Sequence, residues 1–212
     1  MRLAAAVSDP PSVLWEDGAV KVAAGGEGWA STPPAWALPV TVAGDLVLVR
    51  QGGVLVSVGA VCAYPVGFEF YLTFGFNPGP AAEWRARAPG GRVLGFHART
   101  PHEQVTAARI AVGLAGRAAA DSVACMNREV TWGEPIVTFA GGDAGIPSYA
   151  PVLRAESRWW VSPLPSPGLV EFSIFLHGAD EPNGTASLDA EGILEAAGRS
   201  QVLWPAPETG PL

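Results

Sequence analysis

The chain has 212 residues, 49% of them hydrophobic, with 26 glycines, 20 prolines and a formal net charge of −7. That length suits one larger all-β domain or two small ones, and the apolar fraction excludes intrinsic disorder. The glycine and proline content works against long helices, and the negative balance argues against a general nucleic-acid binder, which needs a basic footprint.

Asp17-Gly18 lies between two short apolar runs, which predicts a hairpin over residues 13–23. Residues 24–40, rich in glycine and proline, read as a loop. Residues 46–50 form a short strand turned by Gln51-Gly52-Gly53 into a longer one, 54–63, expected to be buried on both faces. The next segment is the most telling. Phe68, Phe70, Leu72, Phe74 and Phe76 alternate with Glu69, Tyr71, Thr73 and Gly75. That period of two belongs to a half-buried strand. A membrane helix needs about 20 predominantly apolar residues, and Pro65, Gly67 and Glu69 interrupt this stretch. Tyr64-Pro65-Val66-Gly67 is the turn of the resulting hairpin.

Residues 77–92 read as a loop and 93–97 as a strand. Thr100 and Pro101 open a short predicted helix over 101–109, followed by strands at 110–115, 130–132 and 136–139. Gly141 to Gly145 is expected as a flexible loop. Trp159, Trp160 and Val161 make a strand, and the proline-rich run 162–168 leads into a second alternating strand at 170–176. Asn183-Gly184 reads as a turn and 185–188 as a strand. Asp189 caps a helix through Ile193, Leu194 and Ala197, with Gly198 as its stop. Many short strands and one small helix predict an all-β fold: a β-sandwich, immunoglobulin-like or jelly-roll-like, with one short C-terminal helix. The expected layout is an N-terminal extension over 1–11, a single domain over 12–205 and a tail over 206–212. The apolar run after Met1 is too short for a signal peptide. Cys62 and Cys125 are read as small core residues, and a cytoplasmic location is expected.

The segments YPVGFEF (64–70), WVSPLPSPGLVEF (160–172), LDAEGILEAAGR (188–199) and VLWP (202–205) resemble an uncharacterised family of actinobacterial proteins. The resemblance spans residues 54–205. The family pattern carries an acidic residue before the turn at Gly116-Arg117, where this chain has Ala115. It implies turn, core and cap roles for the matched residues and brings no activity.

The chain carries no nucleophile elbow, no phosphate-binding glycine loop with its lysine and no dinucleotide fingerprint. His97, His102 and Glu103 are the only concrete candidates for a loop-built metal or catalytic site, and their spacing matches no zinc pattern. Adjacent Trp159 and Trp160 must face opposite sides of a strand. One enters the core, and the other faces solvent, a partner, or a cover formed by the run from Pro163 to Pro167. Trp84, Arg85 and Arg87 make the most basic aromatic window, read chiefly as a solvated loop. The binding candidates are therefore Trp159, Trp160, Trp84, Arg85 and Arg87, with no cofactor or metal. The leading expectation is a non-enzymatic sandwich acting through protein–protein contact, as a homo-oligomer or an accessory subunit. Its motives are the apolar fraction, the edge strands and the surplus tryptophans. The alternatives are a carbohydrate- or small-ligand-binding sandwich using the outward tryptophan, and an enzyme or metal-binding protein with a loop-built site. A protein partner or self-association is expected, a small ligand is admitted, and membrane and nucleic acid are disfavoured.

Overall fold

The computed structural model describes residues 13–16, 19–22, 32–42, 44–76, 92–95, 108–115, 117, 119–122, 134–142, 145–147, 154–176 and 179–203. Within these residues the chain is an all-β sandwich with one short helix.

The larger sheet has six strands. Its centre is β7 (Gly67–Phe76), flanked by β6 (Val54–Tyr64) and β13 (Arg154–Ser162). Beyond β13 lies β11 (Ile136–Gly142). The other side of β6 is shared by β4 (Val40–Val42), against residues 61–63, and β5 (Leu46–Gln51), against residues 54–58. The smaller sheet runs β10 (Ala120–Asp121), β9 (Arg109–Leu114), β14 (Leu169–Phe175) and β15 (Gly184–Asp189). Three two-stranded ribbons pair β1 (Val13–Glu16) with β2 (Ala19–Val22), β8 (Arg92–Gly95) with β12 (Gly145–Pro147), and β3 (Ala37–Leu38) with β16 (Gln201–Val202). Every pairing is antiparallel.

The alternation in β7 works as its pattern demands. Phe68, Phe70, Leu72 and Phe74 are buried in the main core with Val54, Val56, Val58 and Val61 of β6 and Trp159 and Val161 of β13. The smaller sheet answers with Ile110, Val112, Val170, Phe172 and Ile174. Phe70 and Phe172 meet edge to face across the two layers, centroids 5.1 Å apart and planes at 70°. Each such buried side chain contributes about 1.5–3 kcal/mol. Helix α1 (Ala190–Arg199) lies against β4, β6 and β7 and adds Ala190, Ile193, Ala196 and Ala197 to the same core.

Several local expectations are corrected. β6 is buried on one face only: Leu55, Ser57 and Gly59 on the other are partly exposed and Ala60 is exposed. The predicted loop before residue 40 contains β3 and the start of β4, and the predicted loop 141–145 holds the end of β11 and the start of β12. Arg109 opens a strand, while residues 101–107 lie outside the described residues. Asp189 caps α1 as read, its side chain accepting from the Glu191 amide at 2.9 Å. Gly198 does not stop the helix; Ser200 does, with extended backbone and its hydroxyl donating to the Ala197 carbonyl at 2.6 Å. Asn183 does more than turn the chain, because its Oδ1 accepts from the Leu176 amide at 2.6 Å. Gly52 and Gly53 turn β5 into β6 with φ of 56° and 75°, angles that a side chain disfavours. Among the described residues no helix is long and apolar enough to cross a membrane.

The sandwich closes along one side where β15 meets β5. A Cβ on Gly184 would stand 2.6 Å from the Leu48 carbonyl carbon and clash with its oxygen. Gly184→Ala therefore forces the two sheet edges apart, and urea unfolding is expected to show a loss of at least about 1–3 kcal/mol. Gly198→Ala acts in the opposite direction. Nothing lies within 4 Å of its Cβ position inside the helix, and the same measurement is expected to show a gain of about 0.5–1 kcal/mol.

Candidate functional site on the outer face of the larger sheet

Strand alternation that buries one face of β6, β7 and β13 fixes what the other face presents. The register sets it out as a grid. Ser57, Thr73 and Glu156 form one cross-strand row, and Leu55, Gly75 and Arg154 form the next. On the other side of the first row, Tyr71 pairs with Arg158, and opposite Tyr71 the register of β6 slips between Val58 and Val61. The bulge holds Gly59 and Ala60, which add little bulk to the face. One row further on, Glu69 sits between Cys62 and Trp160.

The Glu69 end is closed. Glu69 is only 4% exposed, unusual for a carboxylate. Tyr64 Oη donates to its Oε2 at 3.0 Å, and Arg158 Nη1 lies 3.8 Å from its Oε1. The Arg158 Nη2 donates to the Ala140 carbonyl at 3.3 Å. Around this network Ala37, Tyr64, Ile136 and Trp160 form a second apolar cluster, bordered by Trp36, Cys62, Val66 and Ala140. The Tyr64 and Trp160 rings meet at 5.5 Å and 80°. Gly67 permits this, since a Cβ there would lie 2.6 Å from the Trp160 ring. Burial first, then the negative Glu69 and its hydrogen bond, push the Tyr64 phenol well above the ordinary tyrosine range. Cys62 is a free thiol whose Sγ is 3.7 Å from Thr41 Oγ1.

The other end is open. A concavity of about 530 Å³ is lined by Asp45, Ser57, Tyr71, Thr73, Arg154 and Glu156, together with the small or apolar Leu55, Gly59, Ala60 and Gly75. Thr73 Oγ1 donates to Glu156 Oε1 at 3.4 Å, and Arg154 Nη2 forms a close ion pair with the same oxygen. The site thus offers one aromatic ring, hydroxyls, and two carboxylates against one guanidinium, on a rigid sheet.

Of the residues singled out from sequence, Trp159 and Trp160 do face opposite sides, but neither is a binding surface: they are 2% and 0% exposed. Trp159 enters the main core and meets Phe139 edge to face at 5.7 Å, while Trp160 fills the second cluster. That cluster is built on Ala37, Tyr64 and Ile136, whereas Leu164 of the proline-rich run packs against the main core. Trp84, Arg85, Arg87, His97, His102, Glu103, His177 and Cys125 lie outside the described residues. Among the described residues no three of His, Cys, Asp and Glu converge on a metal position. The concave face itself was missed. Its signal was the polar alternation of Arg154, Glu156 and Arg158, which continues the period of Trp160 on one face of β13. No protein-family model, curated protein or solved structure matches the chain.

Tyr64→Phe removes the donor from a buried carboxylate, and equilibrium unfolding at neutral pH is expected to show a loss of about 1.5–3 kcal/mol. The pH dependence has a definite sign. The folded phenol ionises above its unfolded value of 10.0, so the unfolded state releases its proton first as pH rises. The stability this provides is complete below pH 10 and is lost above it. Unfolding midpoints measured from pH 10 upward are therefore expected to fall more steeply in the wild type than in Tyr64→Phe.

Proposed function

We propose that the protein is a non-enzymatic β-sandwich binding module that holds a small polar ligand on the outer face of its larger sheet. The observation that carries this reading is the concavity over β6, β7 and β13, where bulge and glycine positions leave space under a tyrosine, two hydroxyls and three charged groups. A few fixed polar groups in a hollow of roughly 300–1,000 Å³ are the ordinary make-up of a ligand site. The arrangement favours binding over catalysis. Thr73 reaches Glu156 only at 3.4 Å, longer than an activated nucleophile needs, and Arg154 already engages that carboxylate. The free Cys62 thiol supports a cytoplasmic setting.

A second reading is protein contact or self-association through the β3–β16 ribbon, where Leu38 and Val202 are 49% and 53% exposed and Leu203 follows them. Mass measurement in solution tests it, with a strict monomer counting against it.

The ligand reading is tested by amide chemical shifts of the labelled protein, titrated with sugars, amino acids and nucleotides. Saturable shifts concentrated at residues 57–60, 71–75 and 154–158 are expected from at least one class. A panel that leaves all of these amides unmoved contradicts the reading.

A further inference from the structure

We infer that the ligand of the concave face is an uncharged saccharide whose ring lies against Tyr71; this rests on the binding reading above. Three observations select that chemistry. The first is charge. The lining holds two carboxylates, Asp45 and Glu156, against Arg154, which is itself paired with Glu156. The chain as a whole carries −7. A phosphate, sulfate or uronate would meet net repulsion and find the guanidinium already engaged. The second is the alternation of hydrogen-bonding roles. Ser57, Thr73 and Glu156 stand side by side in one row across three strands, a span of roughly 10 Å. The two hydroxyls donate or accept, Glu156 and Asp45 only accept, and Arg154 only donates. A sugar ring, whose every hydroxyl both donates and accepts, can use the donor and acceptor capacity that the Thr73–Glu156–Arg154 contacts leave over, whereas an apolar ligand would cover that capacity without meeting it.

The third is the single aromatic. Tyr71 stands opposite the bulge, one row from the hydroxyls, and Gly59 contributes no side chain beside it. A Cβ at Gly59 would only touch Tyr71, 3.8 Å from its carbonyl oxygen and 3.9 Å from its Cβ. Glycine at this position keeps side-chain bulk away from that flank of the tyrosine. One ring with an open flank suits the C–H face of a pyranose, whereas a quaternary cation is recognised by several rings in a cage.

The experiment is a calorimetric and chemical-shift titration of the full chain with neutral trisaccharides of glucose, mannose and N-acetylglucosamine. Trigalacturonate, a sulfated trisaccharide and inorganic phosphate are titrated in parallel. At least one neutral sugar is expected to bind and shift residues 57–60 and 71–75, and to bind at least about tenfold more tightly than any anionic probe. Tyr71→Ala is expected to weaken it about tenfold. Gly59→Val, which fills the open flank without touching the core, is expected to abolish it. Both variants keep the wild-type unfolding midpoint if they report on binding alone. Tighter binding of an anionic probe at the same amides overturns the saccharide assignment and leaves the binding face standing. Binding that survives both substitutions places the sugar elsewhere and overturns the assignment too. No shift on that face from any probe overturns the inference and the reading beneath it.

Discussion

The contact on which the rest of the molecule depends is the meeting of Phe70 with Phe172. These two rings join the centre of the larger sheet to the centre of the smaller one. β7 can bring its aromatic residues to that plane only because they recur at every second position. The same period obliges Glu69, Tyr71, Thr73 and Gly75 to leave by the opposite face. Shifting the register by one residue would exchange the two sets. Core and candidate site are therefore two consequences of one register, and a slip of that register would destroy both.

The outer face is then divided. At the Tyr64–Gly67 turn it is roofed by the second cluster, and a carboxylate that would ordinarily be solvated is enclosed with a phenol and a guanidinium. Burying one partner of such a set alone would be costly, and together they fix the turn to the adjoining strand. Beyond Arg158 the cover ends. The β6 bulge and two glycines lower the floor, and polar groups stand on it with space above them. A β-bulge is a common device for re-aiming residues near a site, and here it lies opposite the tyrosine.

How much of this the sequence disclosed depends on the distance over which the information is spread. The 64–76 hairpin was legible because period-two alternation and a proline–glycine turn are local signals. Residues 170–176 and the Asp189 cap were legible for the same reason. The opposite facing of Trp159 and Trp160 also followed from strand geometry. What covers Trp160 did not, since Ala37, Tyr64 and Ile136 reach it from three distant segments. The burial of Glu69 is equally non-local: only the pairing of β7 with β13 brings Arg158 and Trp160 beside it. The concave face is the extreme case. Asp45, Ser57, Thr73 and Glu156 are individually ordinary, and they become a site through the register of three strands and one bulge. Gly198 failed in the other direction, because a local stop signal was overridden by a serine cap two residues on.

The central claim is that the inner face of the larger sheet is sealed around Phe70 and Phe74, while its outer face is closed at the Trp160 cluster and open at Tyr71. Side-chain proton relaxation in the presence of a soluble paramagnetic agent measures this directly. The account predicts strong enhancement on the Tyr71 ring and near-complete protection of the Phe70, Phe74 and Trp160 rings. A Trp160 indole or Phe70 ring relaxed as strongly as Tyr71, or a Tyr71 ring as protected as Phe70, would contradict it.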